Sequence, residues 1–189
     1  MSGAKFNPST IILVLVVVLV SIFRIAAPYS DNFKEIANFS AVGAVALFGG
    51  AYFNSNLKAF GFPLLVLLLS DIFIAQTSGF GFFYGGWYWT YIAFILMVAV
   101  SKALLQKINV QNLVTAGIVV ILIHWVVSDI SAMYIPGLYP PTLAGFWACL
   151  VAAIPFELKF LYGTAIYGVI MFGFMAWYPS LSFKKGVSA

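Results

Sequence analysis

Long stretches without a single charge dominate this chain, and their lengths decide what it can fold into. From Thr10 to Phe23 the sequence reads TIILVLVVVLVSIF, and an apolar run approaching 20 residues is what the roughly 30 Å hydrocarbon core of a bilayer requires. Comparable runs recur to the end of the chain. Only 7% of the 189 residues are Asp, Glu, Lys or Arg, while 63% are hydrophobic. A soluble domain carries about a quarter of its residues as charges, so the reading is an all-α integral membrane protein. Soluble enzymes and disordered tails are set aside, and no basic run tracks a nucleic-acid backbone despite a net charge of +4.

Six candidate spans can be marked, at about 10–27, 39–53, 62–75, 88–105, 113–134 and 158–177. Lys5 before an apolar core ending in Ile25-Ala26-Ala27-Pro28 also has the outline of a cleaved signal peptide, but the segment is read here as a retained span. Spans two and three are short, which places them inside a bundle. A seventh apolar piece, 143–154, lies between Pro140-Pro141-Thr142 and Pro155. Too short to cross and without a polar face, it is expected to be a short re-entrant or tucked helix before the last span, with Thr142 as its N-cap. Gly43, Ala46, Gly49 and Gly50 in span two are read as close-packing positions.

Basic residues set the orientation, because short cytoplasmic loops retain Lys and Arg. With six spans, Lys5, Lys58, Lys102, Lys107, Lys184 and Lys185 share one side. Both termini are therefore expected in the cytoplasm.

Charged groups within spans cost at least about 2.5 kcal/mol each on insertion scales, so they are the functional pointers. Counting about 1.5 Å per residue from the outer ends, Arg24, Asp71 and Asp129 fall at one depth, roughly 6 to 7 Å in. They are expected to converge as a ligand site, or to pair merely so that burial is tolerated. His124 is placed about 7 Å deeper than Asp129 and rotated by roughly 140° from it. Its plain role is a neutral imidazole bonded to another helix, and its functional one a proton relay or ligand contact. Glu157 and Lys159 are expected at the outer mouth of span six. The loop Gln76–Trp89 is rich in rings and glycines, and Tyr84, Trp87 and Trp89 either form an interfacial belt or close over a ligand, with Gly85-Gly86 as hinge.

Cys149 lies in an apolar helix that disfavours a thiolate, and no nucleophile elbow or HExxH occurs. With one His and one Cys, no metal site, cofactor or enzymatic activity is expected.

The segments Asn38-Phe-Ser-Ala-Val-Gly-Ala-Val-Ala-Leu-Phe-Gly-Gly-Ala-Tyr52, Pro63-Leu-Leu-Val-Leu-Leu-Leu-Ser-Asp71, Gly137-Leu-Tyr-Pro-Pro-Thr-Leu-Ala-Gly145 and Ala152-Ala-Ile-Pro-Phe156 resemble the motifs of a family of small bacterial transport-type membrane proteins. That family is similar to the substrate-binding S components of energy-coupling-factor vitamin transporters, including the solitary cobalamin-type ones. The resemblance implies a six-helix bundle in the bacterial inner membrane, a small-molecule or vitamin ligand held near the outer face, and an energising ATPase module or another membrane subunit as partner. Two departures bear on the last two points. Span one lacks the Ala-xxx-Ala ridge that many S components offer to the module, and residues 76–89 contain no cysteine to meet a cobalt. The competing reading is a non-transporting structural subunit of a larger membrane complex.

Overall fold

The computed structural model describes residues 41–78 and 85–177, together with Leu15 and Ile22. At its centre lies a helix that is apolar on every side. This helix, α1 (Val42–Tyr52), has ten consecutive buried residues, Val42 through Ala51. Such a helix has no solvent or lipid face to satisfy and can only be surrounded. At 11 residues it is about 16 Å long, shorter than the roughly 30 Å hydrocarbon core of a bilayer.

Four longer helices follow: α2 (Asn56–Ser78), α3 (Trp87–Leu104), α4 (Val110–Ile123) and α5 (Leu143–Trp177). Beyond Ile123 the α4 axis continues as a π turn, His124–Ser128, and then a 3-10 turn, Ile130–Tyr134. Four segments are long and apolar enough to cross a membrane: Asn56–Phe73, Trp87–Leu104, Val110–Tyr134 and Leu143–Ala176. Among the described residues there is no strand. Spans two to six of the sequence reading correspond in order to α1–α5, while span one lies outside the described residues except for Leu15 and Ile22.

The glycines of α1 let three helices close on it from three sides. A Cβ on Gly43 would strike Thr164 Oγ1 and stand 2.7 Å from the Phe160 ring of α5. One on Gly49 would stand 3.0 Å from the Ala59 carbonyl oxygen of α2, and one on Gly50 would meet the α3 backbone at Val98 and Lys102. The packing role read from the sequence is therefore borne out for Gly43, Gly49 and Gly50.

Two expectations are corrected. Span three is not short: α2 has 23 residues and passes through Pro63. Pro63 cannot bond the Ala59 carbonyl, which is the carbonyl that Gly49 of α1 approaches. The piece 143–154 is likewise not a separate tucked helix. It continues through Pro155 into one helix of 35 residues. Its inward stripe, Cys149, Leu150, Glu157, Phe160, Thr164, Met171 and Met175, keeps helical spacing across the proline, so tertiary burial outweighs the one backbone bond that Pro155 removes.

The polar ends are tied locally. Asn109 caps α4 by accepting from the Asn112 N–H at 2.7 Å, and Lys102 Nζ donates to Asn56 Oδ1 at 2.5 Å and the Asn54 carbonyl at 3.3 Å. Thr142 Oγ1 accepts from the Gly145 N–H at 3.2 Å, the N-cap expected for that residue.

Candidate functional site

An α-helix sets residues five apart about 140° from one another, whereas a π turn closes i→i+5 and brings them to one side. The π turn His124–Ser128 therefore narrows the divergence expected of His124 and Asp129. His124 Nδ1 lies 2.7 Å from Glu157 Oε1 of α5, and Asp129 is within electrostatic range of the Glu157 carboxylate. His124 is thus bonded to another helix, as its plain reading had it.

Side chains from two helices hold this segment in place. Trp125 Nε1 donates to the Leu150 carbonyl at 2.9 Å, Cys149 Sγ donates to the Asp129 carbonyl at 3.2 Å, and Ser128 Oγ donates to Thr90 Oγ1 of α3 at 3.2 Å. The imidazole stacks on Phe160 with centroids 3.9 Å apart and planes at 11°, and meets the edge-on ring of Phe94 at 5.9 Å. Glu157 is 7% exposed. Two carboxylate oxygens, Asp129 Oδ2 and Glu157 Oε2, are buried without a hydrogen-bond partner, an arrangement that native interiors rarely tolerate without a use for it.

Glu157 does not open span six, as expected from sequence. It lies about 21 Å along a helix roughly 52 Å long, level with the end of α4 where the π turn begins. Lys159 is displaced with it to mid-helix, about 200° round from Glu157, and makes no ion pair with any described residue.

Beside this group, α4 and α5 leave a groove of about 260 Å³. Ile118, Ile121 and Trp125 form one wall; Ile154, Glu157 and Leu161 belong to the other. The lining is apolar, and Glu157 shares it while its Oε2 stays buried.

The remaining sequence candidates separate from this group. Arg24 and Tyr84 lie outside the described residues. Asp71 accepts from Tyr91 Oη at 3.2 Å, and Tyr91 packs edge-on against Trp87 with centroids 5.3 Å apart. Asp71 thus has a partner on α3, while the Asp129 carbonyl accepts from Cys149 of α5. Trp89 neighbours Tyr88, and its buried Nε1 has no acceptor. Gly85 and Gly86 are not a free hinge. A Cβ on Gly85 would stand 2.8 Å from the Tyr134 carbonyl oxygen, and Gly86, at φ 76°, lies against Ser131 of the 3-10 turn.

Sequence reasoning missed Trp125 and the mid-helix position of Glu157. The signal for Glu157 was present in the Glu157–Phe160–Thr164 spacing, which puts a carboxylate on the inward stripe. No three His, Cys, Asp or Glu side chains among the described residues are arranged to hold a metal ion.

Among the described residues, an all-helical architecture with four membrane-length apolar helices and a polar group at the middle of two of them defines the class: a helical protein of membrane-crossing build. The chain belongs to the family of unknown function DUF6580, whose model matches residues 4–185. No curated protein and no solved structure matches it.

Proposed function

We propose that this protein is a membrane transport protein of the S-component type, with six spans and both termini in the cytoplasm of a bacterial cell. It takes up a small organic molecule from the outer side and passes it inward. The observation that supports this reading is the incompletely satisfied group at mid-bundle, Asp129 and Glu157 with His124, next to an apolar groove. Small-molecule sites combine an apolar lining with a few polar groups, and ionisable groups within spans mark substrate or ion pathways. The competing scaffold reading calls for a closed, fully paired polar cluster, and Asp129 Oδ2 and Glu157 Oε2 are unpaired.

Mass spectrometry of small molecules that co-purify with the detergent-extracted protein tests the reading. A species enriched with wild type should fall about tenfold in Trp125→Ala, the equivalent of roughly 1.4 kcal/mol of lost contact. Identical profiles for wild type, Trp125→Ala and empty membranes would reject a small-molecule site.

The orientation has its own test. With Cys149 changed to serine, cysteines at Lys58 and Lys107 should be protected from an impermeant thiol reagent in intact cells, and one at Leu138 should react. Labelling of Lys107→Cys from outside would exclude the cytoplasmic termini.

A further inference from the structure

We propose that Glu157, Asp129 and His124 form a proton-binding site at mid-bundle, and that the proton is the ion coupled to the transport proposed above, on which this inference rests. Two carboxylates and one imidazole share the interior between the π turn and α5. With both carboxylates ionised, one imidazolium leaves a negative charge uncompensated, and a buried uncompensated charge is strongly disfavoured. A proton bound to one carboxylate, which becomes a carboxylic acid, restores neutrality.

Among the described residues, the surroundings supply nothing else that would do so. From α3 the group meets the Phe94 ring and, through Ser128, the Thr90 hydroxyl. From α5 it meets Phe160 and the Cys149 thiol, which is already donating to the Asp129 carbonyl. The α1 helix offers no charged side chain, and Lys159 projects from the other side of α5. Asp129 Oδ2 and Glu157 Oε2, both buried and unpartnered, are vacant acceptors. A metal ion needs at least three convergent ligands, which the described residues do not provide; a proton needs one oxygen.

Coupling follows from shared residues. Glu157 belongs both to this group and to the groove wall, and Trp125, next to His124 in the chain, forms the opposite wall. A change of charge at Glu157 therefore acts on a groove occupant, and by linkage the occupant acts equally on proton affinity.

Infrared difference spectroscopy of the protein in liposomes, taken between alkaline and acid pH in sodium-free buffer, reads the proton directly. Wild type should show a buried carboxylic-acid carbonyl band that appears on acidification and shifts in deuterium oxide. Asp129→Asn and Glu157→Gln, which keep side-chain size, should each remove a component of it. Superimposable spectra from wild type and both carboxamide variants would overturn the site, as would a band that answers to sodium at fixed pH and not to pH. The spectra need no ligand, so failure of the proton site appears there, whereas failure of the transport reading appears in the co-purification.

Discussion

Replacing Gly50 by alanine should lower the stability of the bundle by about 1 to 3 kcal/mol, the usual cost of forcing an extra carbon into a packed interior. The added Cβ would stand 2.6 Å from Ser101 Cβ, 2.7 Å from the Lys102 nitrogen and 2.9 Å from the Val98 oxygen. Two of those atoms are backbone in the middle of contact between α1 and α3, so no side-chain rotation relieves the overlap. Ser101 is also fixed, because its hydroxyl donates to the Met97 carbonyl at 2.6 Å. The same substitution at Gly117 of α4 meets nothing within 4 Å. There alanine should stabilise by about 0.5 to 1 kcal/mol, since glycine is the poorer helix former. Detergent unfolding titrations of the two variants should move in opposite directions. A Gly50→Ala protein as stable as Gly117→Ala would show that α1 is not held by backbone approach.

The central helix was legible because its signal is local. Ala41-Val-Gly-Ala-Val-Ala-Leu-Phe-Gly-Gly-Ala51 has neither a polar residue nor a large-residue stripe, and its small residues suit a helix that others approach closely. The Thr142 cap and the limits of α3, expected at about 88–105 and found at Trp87–Leu104, were legible for the same reason. Pro63 and Pro155 misled in the same way: each reads as a boundary, yet each lies inside a helix that tertiary contacts hold together. A missing backbone bond is a local penalty, while the inward stripe of α5 extends through many buried residues on either side of it.

The candidate site was less legible, and the reason is geometric. Depth along a helix can be counted from the sequence, but azimuth cannot be once the winding changes. His124-Trp-Val-Val-Ser128 carries no mark of a π turn; the turn and the Asp129 carbonyl after it are held by bonds to Leu150, Cys149 and Thr90, residues far away in the chain. His124 and Glu157, placed at different depths by counting, are bonded.

Removing one partner of that bond should be the most damaging change at the site. Glu157→Ala leaves the half-buried His124 imidazole between Phe160 and Phe94 without its acceptor, and breaking a buried pair from one side costs about 3 to 5 kcal/mol. Replacing both members by apolar groups of similar size is a different operation. A phenylalanine at 124 keeps the stack on Phe160, and a leucine at 157 fills the space of the carboxylate arm without a charge to bury. The double variant His124→Phe, Glu157→Leu should therefore recover most of the stability lost in Glu157→Ala, since such replacements are often neutral or stabilising. It should nevertheless lose the co-purifying molecule and the acid-induced carboxylic band component of Glu157. Stability that returns without function marks the pair as retained for what it binds. Should the double variant unfold as readily as Glu157→Ala, the pair would instead be a structural tie, and its two orphaned neighbours, Asp129 Oδ2 and Glu157 Oε2, would need another explanation.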